Sequence, residues 1–329
     1  MPTNLPAEYF EVEKRHKAAT DLPEKIATLE ELISTIPKHK GTDKLRAGLR
    51  RKLSKLRSSA QTKKSTSKQK SVFNIGKEGA GQAVLIGAPN TGKSSLLAAL
   101  TNARPKIDVF PQTTWDPTPG MMDFEDIQIQ LIDTPPITPD YTDPELFNLL
   151  FRADILLIVI DIQGHPEKQL LQTRDILAAH RIIPAHLRDR HDRPEQKKTF
   201  KNCRLLVNKY DSPDLEEIVE LLEEMLEDPW PLIRVSVRQP DTLENFKREL
   251  FQALDIIRVY SKSPGKKADL SQPFVLRKGD TVADFARRVH KDFVQQMKSA
   301  RVWGSGVFDG QPVPREHTLH DRDIVELHQ

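Results

Sequence analysis

Apolar residues recur at helical spacing through the first sixty positions and then switch to short, continuous runs. In "TDLPEKIATLEELIST", Ile26, Leu29 and Ile33 lie three to four residues apart, with Asp21 as an N-cap and Glu24 three residues on, which predicts an amphipathic helix. After Pro37 and Gly41 a second helix is predicted, with Leu45, Leu49, Leu53 and Leu56 along one stripe and basic residues around it. Each helix carries one apolar stripe, so the two pack on each other or on a later domain. The following "SSAQTKKSTSKQK" holds no apolar residue larger than alanine and reads as a linker.

From Ala83 onward, "AVLIG", "IQIQLID", "ILLIVID", "RLLVNK" and "LIRVSV" alternate with helical segments. Strands rich in Val, Ile and Leu on both faces belong to a mostly parallel sheet covered on both sides, so this region is an α/β domain ending near Arg258. Between His165 and Asn202 a helix and then a polar, basic loop are predicted. His180, His186 and His191 are expected on the surface there, because no Cys or carboxylate joins them at ligand spacing. The last seventy residues read as a small α+β module. Its strands are "IIRVYSK", "PFVLRKG", "SARVW" and "DIVELH", and its helix is "TVADFARRVHKDFVQQM". Thr281 caps that helix, and Val282, Phe285, Ala286, Val289 and Phe293 share one face. The expected division is 1–60 helical region, 61–78 basic linker, 79–258 α/β domain and 259–329 C-terminal module.

A chain of 329 residues has room for two or three domains. The longest apolar run, "ILLIVI", is too short to span a bilayer, and the polar N-terminus has no signal-peptide segment, so neither membrane insertion nor export is expected. Cys203 is the single cysteine, which excludes an internal disulfide framework and a Cys-based zinc site and suits a reducing, cytoplasmic setting. Net charge is +3 but unevenly spread. Lys38 to Lys70 carries thirteen Lys and Arg against Asp43 alone, whereas "DLEEIVELLEEMLED" surrounds a helical apolar stripe with carboxylates. A basic arm on a near-neutral chain suits a polyanionic partner, most often nucleic acid. No DNA sequence recognition is expected, since no base-reading motif accompanies the arm.

The chemistry concentrates where strands end. Strand "AVLIG" runs into "GAPNTGKSS", which comprises Gly87, Ala88, Pro89, Asn90, Thr91, Gly92, Lys93, Ser94 and Ser95, and then into a helix. This GxxxxGK[ST] order predicts a phosphate loop, with backbone N–H groups converging on phosphate oxygens, Lys93 at the β and γ phosphates and Ser94 on Mg2+. "NKYD" follows strand "RLLV". The Asp211 carboxylate can accept two hydrogen bonds from guanine N1 and N2, a pair that adenine cannot supply, and Lys209 lies along the base, next to Asn208. Ser236 and Val237 close the next strand where a guanine site needs a backbone donor to O6. Asp133 ends "IQLID" between these motifs, where P-loop NTPases keep an acid of the Mg2+ shell. In "FPQTTWDPTPG", Thr114 is the hydroxyl expected to close over Mg2+ and the γ phosphate, with Thr113 as its neighbour.

"GAPNTGKSS", "FPQTT", "DTPP", "NKYD" and "RVSV" resemble, in order, the five guanine-nucleotide motifs of the Obg and DRG branch of translation-type GTPases. The C-terminal module resembles the TGS domain appended to DRG proteins, which implies a β-grasp-like fold. With the basic helices the resemblance covers most of the chain. It implies GTP and GDP as ligands, a Mg2+-dependent switch, and association with ribosomes or other RNA through the basic N-terminal helices and the TGS domain. Asn90, in a GxPNxGK[ST] loop, resembles the potassium-activated GTPases, where this side chain helps hold K+ beside the phosphates; the other reading is that it only shapes the loop.

The chain departs from the family at "DTPPITP". Pro136 stands where the family keeps a glycine and cannot donate the hydrogen bond that senses the γ phosphate, and Ile137 stands where Ras-type enzymes orient water with glutamine. The long DRG insertion before NKxD is largely reduced to the basic loop near Arg188. The leading expectation is a slow GTPase in which Lys93, Thr114 and Asn90 stabilise the transition state. The alternative is a guanine-nucleotide binding module with little hydrolysis, acting as an RNA or ribosome interaction protein. An ATP-using enzyme is disfavoured by Asp211.

Overall fold

The continuous apolar runs form the centre of a six-stranded sheet. Its strands are β1 (Gln82–Ile86), β2 (Thr118–Phe124), β3 (Ile127–Asp133), β4 (Ile155–Asp161), β7 (Cys203–Asn208) and β8 (Leu232–Val235). Their order is β2-β3-β1-β4-β7-β8, parallel throughout except that β2 runs antiparallel to β3. This computed structural model describes residues 6–18, 22–36, 49, 52–53, 71–103, 116–139, 142–191, 198–290, 294 and 297–328. The chain divides into two units, residues 1–71 and 72–329.

Alternation explains why the central strands are apolar at every position. In β4, Leu156, Ile158 and Ile160 face a core built with α4 (Pro144–Arg152), α5 (Pro166–Ala179) and α6 (Glu216–Met225). Ile155, Leu157 and Val159 face the opposite core with α3 (Lys93–Leu100) and α7 (Pro240–Ala253). A strand buried on both faces has no solvent side on which to place polar residues. Edge strand β2, "TPGMMDF", was not expected from the sequence, because Pro119 and Gly120 weaken its strand pattern; an edge position tolerates both. A small parallel pair, β5 (Ile182–Pro184) with β6 (Thr199–Lys201), occupies the stretch expected to be loop. His180 stacks on Phe147 and His186 lies edge-on to Trp230; both are exposed, as expected.

The α/β fold begins earlier than the sequence suggests. Phe73 is buried in the core beside Ile75, and Arg152 donates to the Phe73 carbonyl (2.9 Å) and to Asn74 Oδ1 (2.6 Å). Residues 73–75, within the stretch read as a linker, therefore pack on the sheet; the apolar pair in "SVFNIGK" is the local reason. In the N-terminal unit, α1 (Ala7–Ala18) and α2 (Leu22–Thr35) share a core of Tyr9, Val12, Leu29, Leu32 and Ile36, joined by Leu49 and Leu53 of the expected second helix. Asp21, Leu45, Leu56 and nearly all of the basic run lie outside the described residues.

The C-terminal module is a five-stranded sheet ordered β10-β9-β13-β11-β12, from β9 (Ile256–Lys262), β10 (Phe274–Arg277), β11 (Ser299–Trp303), β12 (Gln311–Val313) and β13 (Asp323–His328). Helix α8 (Val282–Val289) covers it through Val282, Phe285 and Ala286. Thr281 stands at the N-cap, as expected, and its N–H donates to Asp284 Oδ2 (2.9 Å), the return bond of a capping box. The helix stops at Val289 because His290 is extended, and Val294 is again helical; Phe293 lies outside the described residues. Strand β9 crosses the expected 258/259 boundary.

The module is clasped to the β2–β3 hairpin. Arg258 of β9, with its side chain 4 % exposed, pairs with Asp321 (2.7 Å), with Asp126 (2.8 Å) and with Glu125, and its guanidinium lies 4.9 Å from the Phe251 ring centroid. The Tyr260 hydroxyl donates to Asp126, and Arg322 pairs with Glu125 at 2.6 Å. Ile256 and Val275 add apolar contact with the α3/α7 core.

Candidate nucleotide site

The site forms at the C-terminal edge of the parallel strands, where β1 lies between β3 and β4 and successive connections leave to opposite sides, the place where open α/β sheets bind ligands. Residues 87–92 turn from β1 into α3. Gly87 (φ 147°) and Gly92 (φ 90°) occupy conformations that side chains rarely adopt. A Cβ on Gly87 would fall 2.4 Å from the Val159 carbonyl oxygen, and one on Gly92 2.3 Å from Asn208 Nδ2. Asn208, at the tip of β7, donates to the Thr91 carbonyl (2.7 Å), so the guanine motif also braces the phosphate loop.

Lys93 is buried at the start of α3, and its ammonium donates to the carbonyls of Gly87 (3.1 Å) and Ala88 (2.8 Å). Burial pulls its pKa down to about 8, against a smaller opposing effect of the Asp133 charge. A helix N-terminus with a buried, partly compensated ammonium is an anion site. Thr91 Oγ1 donates to the Ala88 carbonyl (3.1 Å), and Ala88, Pro89 and Ser95 are half-buried. Asn90 is exposed at φ 60°.

Asp133 has no exposed surface, and burial raises its pKa. Ser94 Oγ donates to its Oδ2 at 2.5 Å, while Oδ1 is buried with no hydrogen-bond partner among the described residues. An orphaned carboxylate oxygen beside a hydroxyl, at the mouth of a phosphate loop, fits a hard divalent cation. After Asp133, Thr134 Oγ1 donates to the Leu85 carbonyl (2.7 Å), and the Ile137 N–H donates to the Gly87 carbonyl (3.0 Å). Ile137 is core, 3 % exposed. The segment after β3 is thus pinned to the phosphate loop at Ile137, next to Pro136, which has no N–H. Thr113 and Thr114 lie outside the described residues.

The groups expected to read guanine stand at the ends of β7 and β8. Asp211 Oδ1 accepts from Ser236 Oγ (2.5 Å), and Oδ2 accepts from Arg238 (2.9 Å) and Gln163 Nε2 (3.2 Å), which fixes the carboxylate plane. Lys209 (φ 60°) pairs with Asp161 Oδ2 at 2.5 Å, and Gln163 Nε2 also donates to the Lys209 carbonyl (2.8 Å). The Ser236 N–H is committed to Thr242 Oγ1 (2.9 Å). Of the expected Ser236/Val237 pair, Ser236 therefore serves as orienter of Asp211, and Val237 is left as the candidate O6 donor. Asp161, Gln163, Arg238 and Thr242 were not read from the sequence. Asp161 could have been, since it ends the apolar run "ILLIVID" on the edge where Asp133 ends its strand; Gln163 carries no local signal.

A phosphate loop, a buried acid beside its serine and a fixed carboxylate beyond the end of β7, all on one edge of this sheet, are the arrangement of a P-loop GTPase domain. Residues 82–187 match the family described as 50S ribosome-binding GTPase, and residues 257–329 match the TGS domain. The chain is 28 % identical over 362 residues to an uncharacterized GTP-binding protein of Methanocaldococcus jannaschii, covering 93 % of this chain and 92 % of that one. It is 24 % identical to developmentally-regulated GTP-binding protein 2 of Homo sapiens, covering 92 % and 98 %. Among solved structures, NFeoB from S. thermophilus bound to GDP·AlF4− and K+ is similar over 53 % of this chain and 60 % of that one, at 22 % identity and a TM-score of 0.37. The chain thus joins a stretch matching the GTPase family to one matching the TGS domain, and over most of its length it is similar to proteins named developmentally-regulated GTP-binding proteins. Among the described residues, no helix is long and apolar enough to cross a membrane, and no cluster of His, Cys, Asp and Glu forms a separate metal site.

Proposed function

We propose that this protein is a slow, Mg2+-dependent GTPase switch of the cytoplasm that acts in association with ribosomes or other RNA. The observation that carries the hydrolytic reading is the Ser94–Asp133 pair, with its buried, unsatisfied Oδ1, set against the buried ammonium of Lys93. Ser94 and Asp133, with Thr114 as the third expected group, would hold Mg2+, which when bound would neutralise charge on the β and γ phosphates. Lys93 and the loop N–H groups orient the same phosphates and stabilise charge as the bond to the γ phosphate breaks. Asp211, held by Ser236, Arg238 and Gln163, selects guanine over adenine. Asn90, exposed in the phosphate loop, would contribute to a K+ site. The basic run from Lys38 to Lys70 and the TGS module supply the contacts to RNA.

The alternative is a guanine-nucleotide binding module that scarcely turns over. Pro136 has no N–H, the N–H of Ile137 is engaged by Gly87, and the Ile137 side chain is core, so this segment offers neither a γ-phosphate donor nor a water-orienting side chain. Single-turnover GTP hydrolysis with Mg2+, in K+ or Na+ buffer and with or without ribosomes, separates the two. Turnover accelerated by K+ supports the switch; absence of turnover in every condition supports the module. Equal rates in K+ and Na+ remove Asn90 from cation binding. Competition among GTP, GDP and ATP tests the base, and tighter ATP binding overturns the guanine assignment.

A further inference from the structure

Helix α6 carries more apolar surface than the fold buries. Val219 and Leu222 face the core, while Ile218, Leu221 and Met225 are 41, 55 and 52 % exposed. Their i, i+3, i+7 spacing aligns them in a second stripe beside the buried one. Single exposed apolar residues are ordinary; three aligned on a ten-residue helix form a patch. That stripe walls a groove between α6 and the first half of α5. Two hollows of about 360 and 220 Å3 open along it, sharing Met225 and Glu167, with Leu170, Leu222 and Trp230 among their lining. Such a groove accepts the apolar face of a helix.

The rim decides what kind of helix. Glu217, Glu220 and Glu224 are exposed along the outer edge of α6 at the same i, i+3, i+7 spacing, and Glu167 lies at the α5 side. The cations at the groove are fewer: Lys168, and Arg174, which already pairs with Asp175 at 3.0 Å. An acidic helix or a nucleic acid would meet like charge here, whereas a helix flanked by Lys or Arg would meet opposite charge. We propose that this groove docks a basic amphipathic helix of a partner protein, its apolar side chains seated along Ile218, Leu221 and Met225 and its cations over Glu217, Glu220 and Glu224.

The test uses the full chain and labelled Leu/Lys peptides of about five helical turns, read by fluorescence anisotropy at about 0.15 M salt. One peptide carries its leucines on a single helical face; its isomer of identical composition is shuffled so that no face is apolar. The patterned peptide is expected to bind roughly tenfold or more tightly than the shuffled one, and Leu221→Ser with Met225→Ser to remove that advantage. Reversing Glu217, Glu220 and Glu224 to Lys is expected to transfer the preference to a patterned Leu/Glu peptide. GDP affinity and the thermal midpoint serve as controls for folding. Equal binding of the two isomers, or an advantage that survives the Leu221/Met225 substitutions, overturns the proposal. So does a dimer in sedimentation that these substitutions dissolve, because a second copy would then be the occupant.

Discussion

Nucleotide affinity should fall with rising pH at a place set by Lys93. Burial brings the ammonium to a pKa of about 8 in the free protein. That shift from 10.5 corresponds to roughly 3 kcal/mol of lost hydration at about 1.4 kcal/mol per unit, which anionic phosphate oxygens would restore. The bound state therefore keeps Lys93 protonated well above 8, and affinity follows the protonated fraction of the free protein. Taking that fraction as about nine tenths at pH 7 and one tenth at pH 9, GDP affinity should fall about tenfold across this window, near 1.4 kcal/mol. The free protein carries the opposite sign. Its folded Lys93 pKa lies below the unfolded value, so between about 8 and 10.5 the unfolded chain binds more protons and the fold gains stability as pH rises.

Calorimetric titration of GDP in buffers of different ionisation enthalpy measures both the affinity and the proton count. Uptake of about half a proton per GDP at pH 8 is expected. Lys93→Arg keeps its charge throughout and should flatten the profile between pH 7 and 9. A wild-type affinity independent of pH over that range, with no proton uptake at pH 8, would refute the assignment of Lys93 as the buried phosphate-binding ammonium.

Three other substitutions have defined outcomes. Asp211→Asn exchanges two acceptors for one acceptor and one donor, so GTP affinity should drop about a hundredfold while xanthosine triphosphate binding appears; equal loss of both in a competition assay would mean that the carboxylate does not read the base. Arg258→Ala removes the shared partner of Glu125, Asp126 and Asp321 at a nearly fully buried position, and should cost on the order of 3–5 kcal/mol in urea unfolding; a loss below about 1 kcal/mol would show that the clasp adds little to holding the TGS module. Pro136→Gly restores a backbone donor after β3 and should raise GTP-over-GDP discrimination about tenfold or more, at 1.5–3 kcal/mol for a charge-assisted hydrogen bond; an unchanged ratio would indicate that the switch is limited by the Ile137–Gly87 contact instead.

The candidate nucleotide site, as a set of residues on one sheet edge, was legible because they come in short local motifs whose chemistry dictates spacing. Gly87, Gly92, Lys93 and Ser94 lie within eight positions, and Asp133, Asn208 and Asp211 follow strands that their own apolar runs reveal. Strand order was not legible in the same way. Nothing local to "TPGMMDF" announces a strand, because an edge position needs only one partner and tolerates Pro119 and Gly120. The supports of the guanine carboxylate were equally hidden: Gln163 reaches Asp211 across 48 positions, through a loop with no distinctive composition.

The clasp shows the same limit at greater sequence distance. Arg258 and Glu125 are 133 positions apart, and in the sequence each looks like one charge among many. What makes the arginine special is its burial, which follows from β9 packing its Ile257 and Val259 into the TGS core and thereby fixing where the intervening side chain must go. Once Arg258 is buried, carboxylates must accompany it, and the turn between β2 and β3 supplies two of them. The same β3 strand ends at Asp133, so one seven-residue element, about 20 Å long, carries the candidate cation-site acid at one end and adjoins the TGS clasp at the other. The apolar pattern of "IQIQLID" fixes how deeply that strand is buried. The charged residues at its two ends connect the nucleotide site to the module that follows it in the chain.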